Sequence, residues 1–297
     1  MKIRRATMSR KTGLSVMWAA YLWAIAIALT IGSQLPVASP LIKAGIVDLI
    51  ATVMIFAISV VFDNSSIYDP YWSVAPIVMT GYWVLSASGD EIASLRGVVV
   101  LFLVAAWGIR LTVNFIAHWK GMQHEDWRYE EYREKAGRLY WVVSFFGFHL
   151  IPTVIVFAGC VPIYFACTSR IALGAMDAVA VVITLAAVVV ETVADAQMRA
   201  AQATGEYDSA TFRGGIWAFS RHPNYLGEIM FWWGMYFFGL AADLGYWWTI
   251  FGPLGVTVLF LVVSLPLIET RMVERRADYR EVQAEVSKLV PWFPKRR

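Results

Sequence analysis

The sequence SRHPNYLGE at Ser220–Glu228 begins a strongly apolar segment that runs to about Leu240. Its first residue is a preferred helix cap, and Pro223 suits the first turn of a helix. Spacings of three, four and seven place four polar side chains on one helical face: Arg221, Asn224, Tyr225 and Glu228. An amide and a carboxylate about one turn inside a membrane helix are costly unless they contact protein, water or a ligand. The stretch therefore predicts either a polar ligand held at the membrane surface or an anchor solvated by lipid headgroups.

The composition is typical of a membrane protein. The chain has 297 residues, of which 59% are hydrophobic and only 16% are charged, and soluble domains seldom combine these values. Its 14 Trp and 13 Tyr side chains suit aromatic belts at the two membrane interfaces. The sequence contains no phosphate-binding loop and no zinc-type spacing of Cys and His. We therefore expect neither a metal site nor a nucleic-acid partner.

Eight apolar segments predict an all-α, polytopic membrane bundle of about eight transmembrane helices. Each is about long enough to cross a bilayer, except the third, which is short. The segments are 14–31, 45–62, 72–87, 97–115, 141–167, 174–194, 222–241 and 246–267. The tail 269–290 alternates apolar with charged positions, which predicts an amphipathic helix that lies against the inner leaflet or covers the site.

The positions of the basic residues predict how the chain is oriented. With the N-terminus placed inside, 21 of the 25 Lys and Arg residues fall in cytoplasmic segments and three fall in outer loops. The remaining one, Arg110, lies within an apolar helix. Because cytoplasmic loops carry an excess of Lys and Arg, we predict that both termini are cytoplasmic.

This orientation brings most of the unusual polar residues to the cytoplasmic face. Arginines bind phosphates in a bidentate manner, carboxylates accept hydrogen bonds from ribose hydroxyls, and Trp and Tyr offer stacking surfaces. The arginines are Arg110, Arg128, Arg199, Arg213 and Arg221, and the carboxylates are Asp126, Glu191, Asp195 and Glu228. A transporter or channel would carry polar residues through the midplane as well. The pattern instead predicts a cup, open to the cytoplasm, that binds an adenine-containing dinucleotide or a similar anionic cofactor.

Several motifs resemble a known family. The stretches GGIW at 214–217 and RHPNYLGE at 221–228, followed by Tyr279 and PWF at 291–293, resemble the steroid 5-alpha-reductase C-terminal domain. The chain is most similar to the uncharacterised bacterial membrane proteins of that superfamily. A weaker similarity covers DPYW at 69–72, WGIR at 107–110 and DWRY at 126–129. The first helix has no counterpart, so we expect an added helix at 1–40 and a reductase-like membrane domain at 41–297.

The resemblance implies an NADPH-dependent reductase that acts on an activated C=C bond, of the enone type, in a steroid-like or other lipid substrate. It also implies a bacterial inner membrane. The direct motif matches are Asp195, Asn224 and Glu228, with Arg110 in the earlier half. Together with the polar cluster, the predicted cofactor-binding set is Arg110, Asp126, Arg128, Tyr129, Glu191, Asp195, Arg199, Arg221, His222, Asn224, Tyr225 and Glu228.

The reductases of this family polarise the substrate carbonyl with a Gln-Glu pair and a Tyr. The Gln-Glu position corresponds here to Tyr68-Asp69, and the Tyr position corresponds to Trp107. Since Trp cannot act as an acid, the proton donor must be another group. We predict Asp69 itself, or Tyr68 or Tyr71 held by Asp69.

Two other functions fit parts of the sequence. Membrane methyltransferases that use S-adenosylmethionine on isoprenylcysteine or phospholipid also show an Arg-His-Pro-x-Tyr stretch and a later acidic residue, for which Glu269 is suited. A non-catalytic lipid-binding relative of the reductases would also explain the replacement at Trp107.

Overall fold

The computed structural model describes residues 8–87, 95–205 and 210–295. Every regular element in these ranges is a helix, which confirms the predicted all-α class. Six segments of the described chain are long and apolar enough to cross a membrane, namely Arg10–Gln34, Pro40–Phe62, Leu95–His118, Trp127–Thr168, Ala175–Ala203 and Leu244–Arg275. These are the helices of a multi-pass membrane protein. The first seven residues, which carry part of the predicted basic N-terminus, lie outside the described residues.

The predicted number of eight spanning helices is not reproduced by this criterion. Two predicted segments form helices that do not qualify, at Tyr71–Ala87 and Pro223–Ala242. The first has only 17 residues. The second has 20 residues, but its apolar character is diluted by Asn224, Glu228 and several Trp and Tyr side chains. The first helix is too short to count as membrane-spanning, and the polar side chains of the second lower its mean hydropathy too far.

The chain folds as two compact units, Met1–Thr168 and Ser169–Arg297. The helices of the first unit are α1 (Arg10–Gln34), α2 (Pro40–Phe62), α3 (Tyr71–Ala87), α4 (Leu95–His118), α5 (Trp127–Ala136), α6 (Tyr140–Val143) and α7 (Ile151–Thr168). A 3₁₀ turn at Ser65–Tyr68 precedes α3, and a π-helical segment at Ser144–Leu150 joins α6 to α7. The helix predicted to be an addition, α1, packs on α2 within this unit. The boundary at residue 40 stays a prediction.

Local signals define the ends of α2. The Ser39 side chain accepts a hydrogen bond from the Ile42 amide, and Pro40 occupies the first turn, where its missing N–H costs nothing. The helix ends at Asp63, whose φ of 54° lies in the left-handed region. The chain then enters the 3₁₀ turn that carries Tyr68 and leads to Asp69.

The helices of the second unit are α8 (Ala175–Ala203), α9 (Pro223–Ala242), α10 (Phe251–Val258), α11 (Leu265–Arg275) and α12 (Tyr279–Glu285). Two glycines let α8 and α9 approach closely. A Cβ at Gly227 would lie 2.3 Å from Glu191 Cγ, and one at Gly234 would lie 2.2 Å from Thr184 Oγ1. The polar residues of α9 are therefore held directly against α8.

The predicted amphipathic helix over 269–290 is two helices in the structure. The α11 helix ends at Arg275, Arg276 has extended backbone, and α12 starts at Tyr279. This break lets Tyr279, Val282 and Val286 turn inward and pack against α11 residues. The described residues after α12, 286–295, are irregular.

Candidate functional site

One polar cluster of the first unit gathers four of the predicted residues at the start of α5. Tyr129 donates a hydrogen bond of 2.5 Å to Asp69 Oδ1. Arg128 Nη2 lies 3.9 Å from the same oxygen. Asp126 caps α5 by accepting from the Arg128 amide at 2.9 Å and from Arg128 Nε at 2.7 Å. The sequence motif DWRY and the turn before α3 therefore form one arrangement.

Asp69 is the carboxylic acid at the centre of this cluster. Its side chain is only 16% exposed. Burial raises the pKa of Asp69 to about 7, although the Arg128 charge and the hydrogen bond from Tyr129 act against this. A carboxyl group with this pKa populates both protonation states near neutrality, as a general acid requires. The acid role of Asp69 stays a prediction that these surroundings favour.

Sequence reasoning missed a second network, centred on Glu125, that lies next to this cluster. Glu125, whose side chain is fully buried, accepts from the Ser65 amide at 2.7 Å and from Arg133 Nη2 at 3.0 Å. Arg133 also bridges to Asp63 at 2.9 Å and lies 3.9 Å over the Tyr140 ring. In the sequence Glu125 and Arg133 belong to a highly charged loop, which offers no sign that one carboxylate is buried.

A second acid–phenol pair lies deeper in the first unit, on a cavity wall. Tyr71 donates to Asp48 Oδ1 at 2.6 Å, and both side chains are buried. Together with α1, α2 and α3 side chains, they line a cavity of about 430 Å³. The lining is mainly aliphatic, with Ala28, Val47, Val78 and similar residues. A phenol beside a carboxyl group in an apolar chamber can orient and polarise a carbonyl group.

Asp48 was also missed, although a signal for it existed. An acidic residue in the middle of an apolar membrane helix is expensive and points to function. That reasoning singled out Arg110 and applies equally to Asp48.

Tyr68 lies next to this pair but makes different contacts. Its hydroxyl bonds to Thr153 Oγ1 at 2.8 Å, and Thr153 bonds to Thr52 at 2.9 Å. Its ring packs at a tilt against His149, with the ring centres 4.7 Å apart, and against Tyr71, with the ring centres 5.4 Å apart. Tyr68 is not among the residues that line the cavity. Of the three predicted proton donors, Tyr71 is therefore the one that reaches it.

In the second unit, α8 and α9 bring three predicted cofactor residues together. Glu228 is buried and accepts from Trp232 Nε1 at 2.9 Å. Glu191 is buried and lies against Gly227. The amide oxygen of Asn224 is buried and has no hydrogen-bond partner within the described residues. A buried acceptor in this state suits a ligand that brings an N–H or O–H group.

The other predicted residues on these elements differ in exposure. Asp195 is half-buried on α8, and Arg199 is exposed one turn further. Arg110 is half-buried on α4 of the first unit. Tyr225 packs edge-on against Phe260 at 5.1 Å and against His222 at 5.8 Å. The cofactor roles of these residues stay predictions.

Arg221 and His222 are held by the C-terminal part of the chain. Arg221 donates through Nε to Glu269 Oε1 at 2.8 Å and through Nη1 to the Val286 carbonyl at 2.6 Å. His222 Nε2 lies 3.1 Å from the same Glu269 oxygen. The amide of Arg221 donates to the Ser287 carbonyl at 2.9 Å. These contacts favour a structural role for both residues, and their predicted part in cofactor binding stays a prediction.

Comparison with known proteins places the chain in a family. The fission yeast Schizosaccharomyces pombe has a similar protein, named "Uncharacterized protein C594.04c". It is 28% identical over 263 residues, which cover 80% of this chain and 76% of that protein. No solved structure matches the chain at a significant level. A family model described as "Protein of unknown function (DUF1295)" matches residues 55–286, a range that includes every predicted site residue. The chain therefore belongs to the DUF1295 family.

Proposed function

We propose that this protein is an NADPH-dependent membrane reductase of an activated C=C bond in a lipid-like substrate. One observation carries the proposal: the Tyr71 phenol, paired with the Asp48 carboxyl group, lies on the wall of an apolar cavity of about 430 Å³. Ligand pockets are typically apolar chambers of this size with a few placed polar groups. The resemblance of the RHPNYLGE and GGIW stretches to the steroid 5-alpha-reductase domain supports the same assignment.

The proposed chemistry requires a hydride at the β carbon of an enone and a proton to complete the addition. NADPH, when bound, supplies the hydride. Tyr71 hydrogen-bonds the substrate carbonyl oxygen and stabilises the negative charge that develops there. When the proton of the pair is on Asp48, its carboxyl group donates to the Tyr71 oxygen, and the Tyr71 O–H is then available to the substrate. Asp48 is thus a positioning residue, and Tyr71 is the donor.

The residues of the second unit fit part of such a cofactor. The unsatisfied amide oxygen of Asn224 suits the carboxamide or adenine N–H groups of a dinucleotide. The carboxylates Glu191, Asp195 and Glu228 suit hydroxyl or N–H donors, and Arg199 suits phosphate. Arg110 belongs to the first unit, and its role in cofactor binding stays a prediction. We leave Arg221 and His222 out of this set because Glu269 and the C-terminal chain already engage them.

A thermal-shift titration of the detergent-purified protein tests the proposal. NADPH at about 100 times its Kd should stabilise the protein by about 2.7 kcal/mol. Asn224→Ala should reduce this stabilisation, whereas Gln202→Ala, an exposed change on α8, should leave it intact. Tyr71→Phe should keep NADPH binding but abolish NADPH oxidation with hydrophobic enones, such as a 3-oxo-4-ene steroid or a long-chain alkenone. Absence of any NADPH stabilisation would reject the proposal.

The methyltransferase function remains the second candidate for a specific reason. Glu269, the acidic residue expected by that alternative, contacts both Arg221 and His222 of the Arg-His-Pro-x-Tyr stretch. S-adenosylmethionine therefore belongs in the same titration. Stabilisation by S-adenosylmethionine and not by NADPH would favour the methyltransferase, and stabilisation by neither would favour a non-catalytic lipid-binding protein.

A further inference from the structure

The cavity of the first unit is polar at both ends. Tyr71 and Asp48 line one end, and Lys43 with Ser33 lines the other. The order along the cavity follows from contacts between helices, because Trp83 near the end of α3 donates to the Pro40 carbonyl at the start of α2. Between Tyr71 and Tyr82, which also lines the cavity, α3 advances about 16 Å.

The dimensions select the type of molecule that fits. The cavity has a volume of about 430 Å³, and its lining on α3 runs from Tyr71 to Tyr82, an axial distance of about 16 Å. The lining is mainly aliphatic. An elongated apolar space of this kind suits one extended hydrocarbon chain.

Among the described residues that line the cavity, Lys43 is the one cationic side chain. Lys43 lies in the first turn of α2, and this turn contains no acidic residue. The helix macrodipole is positive at the N-terminus, so a cation there is unfavourable unless an anion accompanies it. Within the described residues the Lys43 ammonium has no ion pair or hydrogen bond. Asp48, the acid on the same helix and cavity wall, is engaged by Tyr71.

We infer that this cavity binds a single-chain lipid with an anionic headgroup, carboxylate or phosphate, which lies at Lys43 while the chain extends to Tyr71. The inference rests on the proposed function for the reactive end of the molecule. A lysine at a membrane interface often extends its amine toward bulk headgroups instead. Lys43 lines the cavity, however. An amine in the cavity should favour anionic over uncharged ligands there, whereas an amine among the bulk headgroups should not.

Native mass spectrometry of the full-length protein, purified in a neutral detergent, can count the bound lipids directly. The probes are dodecanoic acid, dodecyl phosphate and the uncharged methyl dodecanoate. We expect both anions to be retained about tenfold more strongly than the ester, as charge-assisted hydrogen bonds allow. Lys43→Met should abolish this preference and Lys43→Arg should keep it. Lys120→Met, at an exposed lysine outside the cavity, should have no effect.

A substitution that fills the cavity tests the location. Ala75 lines the cavity, and Ala75→Phe should weaken binding of all three probes. An unchanged anion preference in Lys43→Met would overturn the inference, as would undiminished binding in a folded Ala75→Phe variant. If Ala75→Phe fails to fold, the retention of the anions relative to the ester in Lys43→Met still decides the question. None of these measurements requires NADPH, so a failure of the proposed reductase function would be seen separately in the thermal-shift titration.

Discussion

Replacement of Glu125 by Ala should strongly destabilise the first unit. The side chain is fully buried and accepts from the Ser65 amide and from Arg133. Its loss leaves the Ser65 amide without this acceptor, which costs about 1–3 kcal/mol. Arg133 loses its buried partner Glu125, but its side chain is 25% exposed and keeps Asp63 at 2.9 Å. The free-energy cost of losing this ion pair is therefore smaller than for a fully buried pair. We expect Glu125→Ala to lower the free energy of unfolding by about 3 kcal/mol in total, which is at the lower end of the range for breaking a buried ion pair.

The two cysteines of the chain provide the assay. Cys160 and Cys167 are both free and buried in α7 of the same unit, so a thiol-reactive dye reports its unfolding on heating. A loss of about 3 kcal/mol should lower the midpoint by about 6–12 °C for a unit of this size. The matched control is Glu131→Gln on α5, because its pair with Lys135 is largely exposed, at 35% and 65%. That change should cost less than about 0.5 kcal/mol. Equal shifts for the two variants would refute the reasoning.

Three further predictions address other parts of the molecule. Gly227→Ala should destabilise the second unit by about 1–3 kcal/mol in thermal melts followed by circular dichroism, since its Cβ would lie 2.8 Å from the Ala187 carbonyl. In the same melts Gly81→Ala should be neutral or stabilising, because a Cβ at Gly81 would enter open space. Asp69 retains its proton in the folded state up to about pH 7 but loses it near pH 4 when unfolded, so this residue's contribution to stability should fall as the pH rises between these values. Dye-labelling melts should show a slope of this sign in the wild type that is absent in Asp69→Asn, with a total size on the order of 4 kcal/mol; parallel curves would contradict it. Arg221→Ala should increase hydrogen exchange of the amides at 283–289 by about tenfold or more, since charge-assisted bonds to the Gln283 and Val286 carbonyls are lost.

Hydropathy predicted the apolar helices, but it did not predict α5 or the break between α11 and α12. In a bilayer each segment must satisfy its backbone hydrogen bonds internally, so a long apolar run forms a helix whatever its neighbours are. Capping residues such as Ser39 and Pro40 then fix a helix start within a few residues. The number of spanning helices was less determined, because Tyr71–Ala87 and Pro223–Ala242 lie near the limits of length and polarity.

The candidate site was only partly readable from the sequence. The DWRY motif and the turn at Asp69 were identified, and the structure joins them through Tyr129. Helical spacing placed Asn224 and Glu228 on one face, whereas Glu191 was predicted only to lie at the same membrane face. The sequence did not indicate that Arg221 is bound to Glu269, which lies 48 residues further along the chain.

What the sequence by itself determined is the class of the protein: a bundle of apolar helices with polar residues concentrated on a few faces. Only the tertiary structure decided which polar residues meet, as in the pairing of Asp48 with Tyr71 and the burial of Glu125. The physical reason is that hydropathy fixes the length of a helix but not its rotation about its own axis. That rotation is set by side-chain packing between helices, such as the close approach at Gly227, and a partner on another helix leaves no local pattern in the chain.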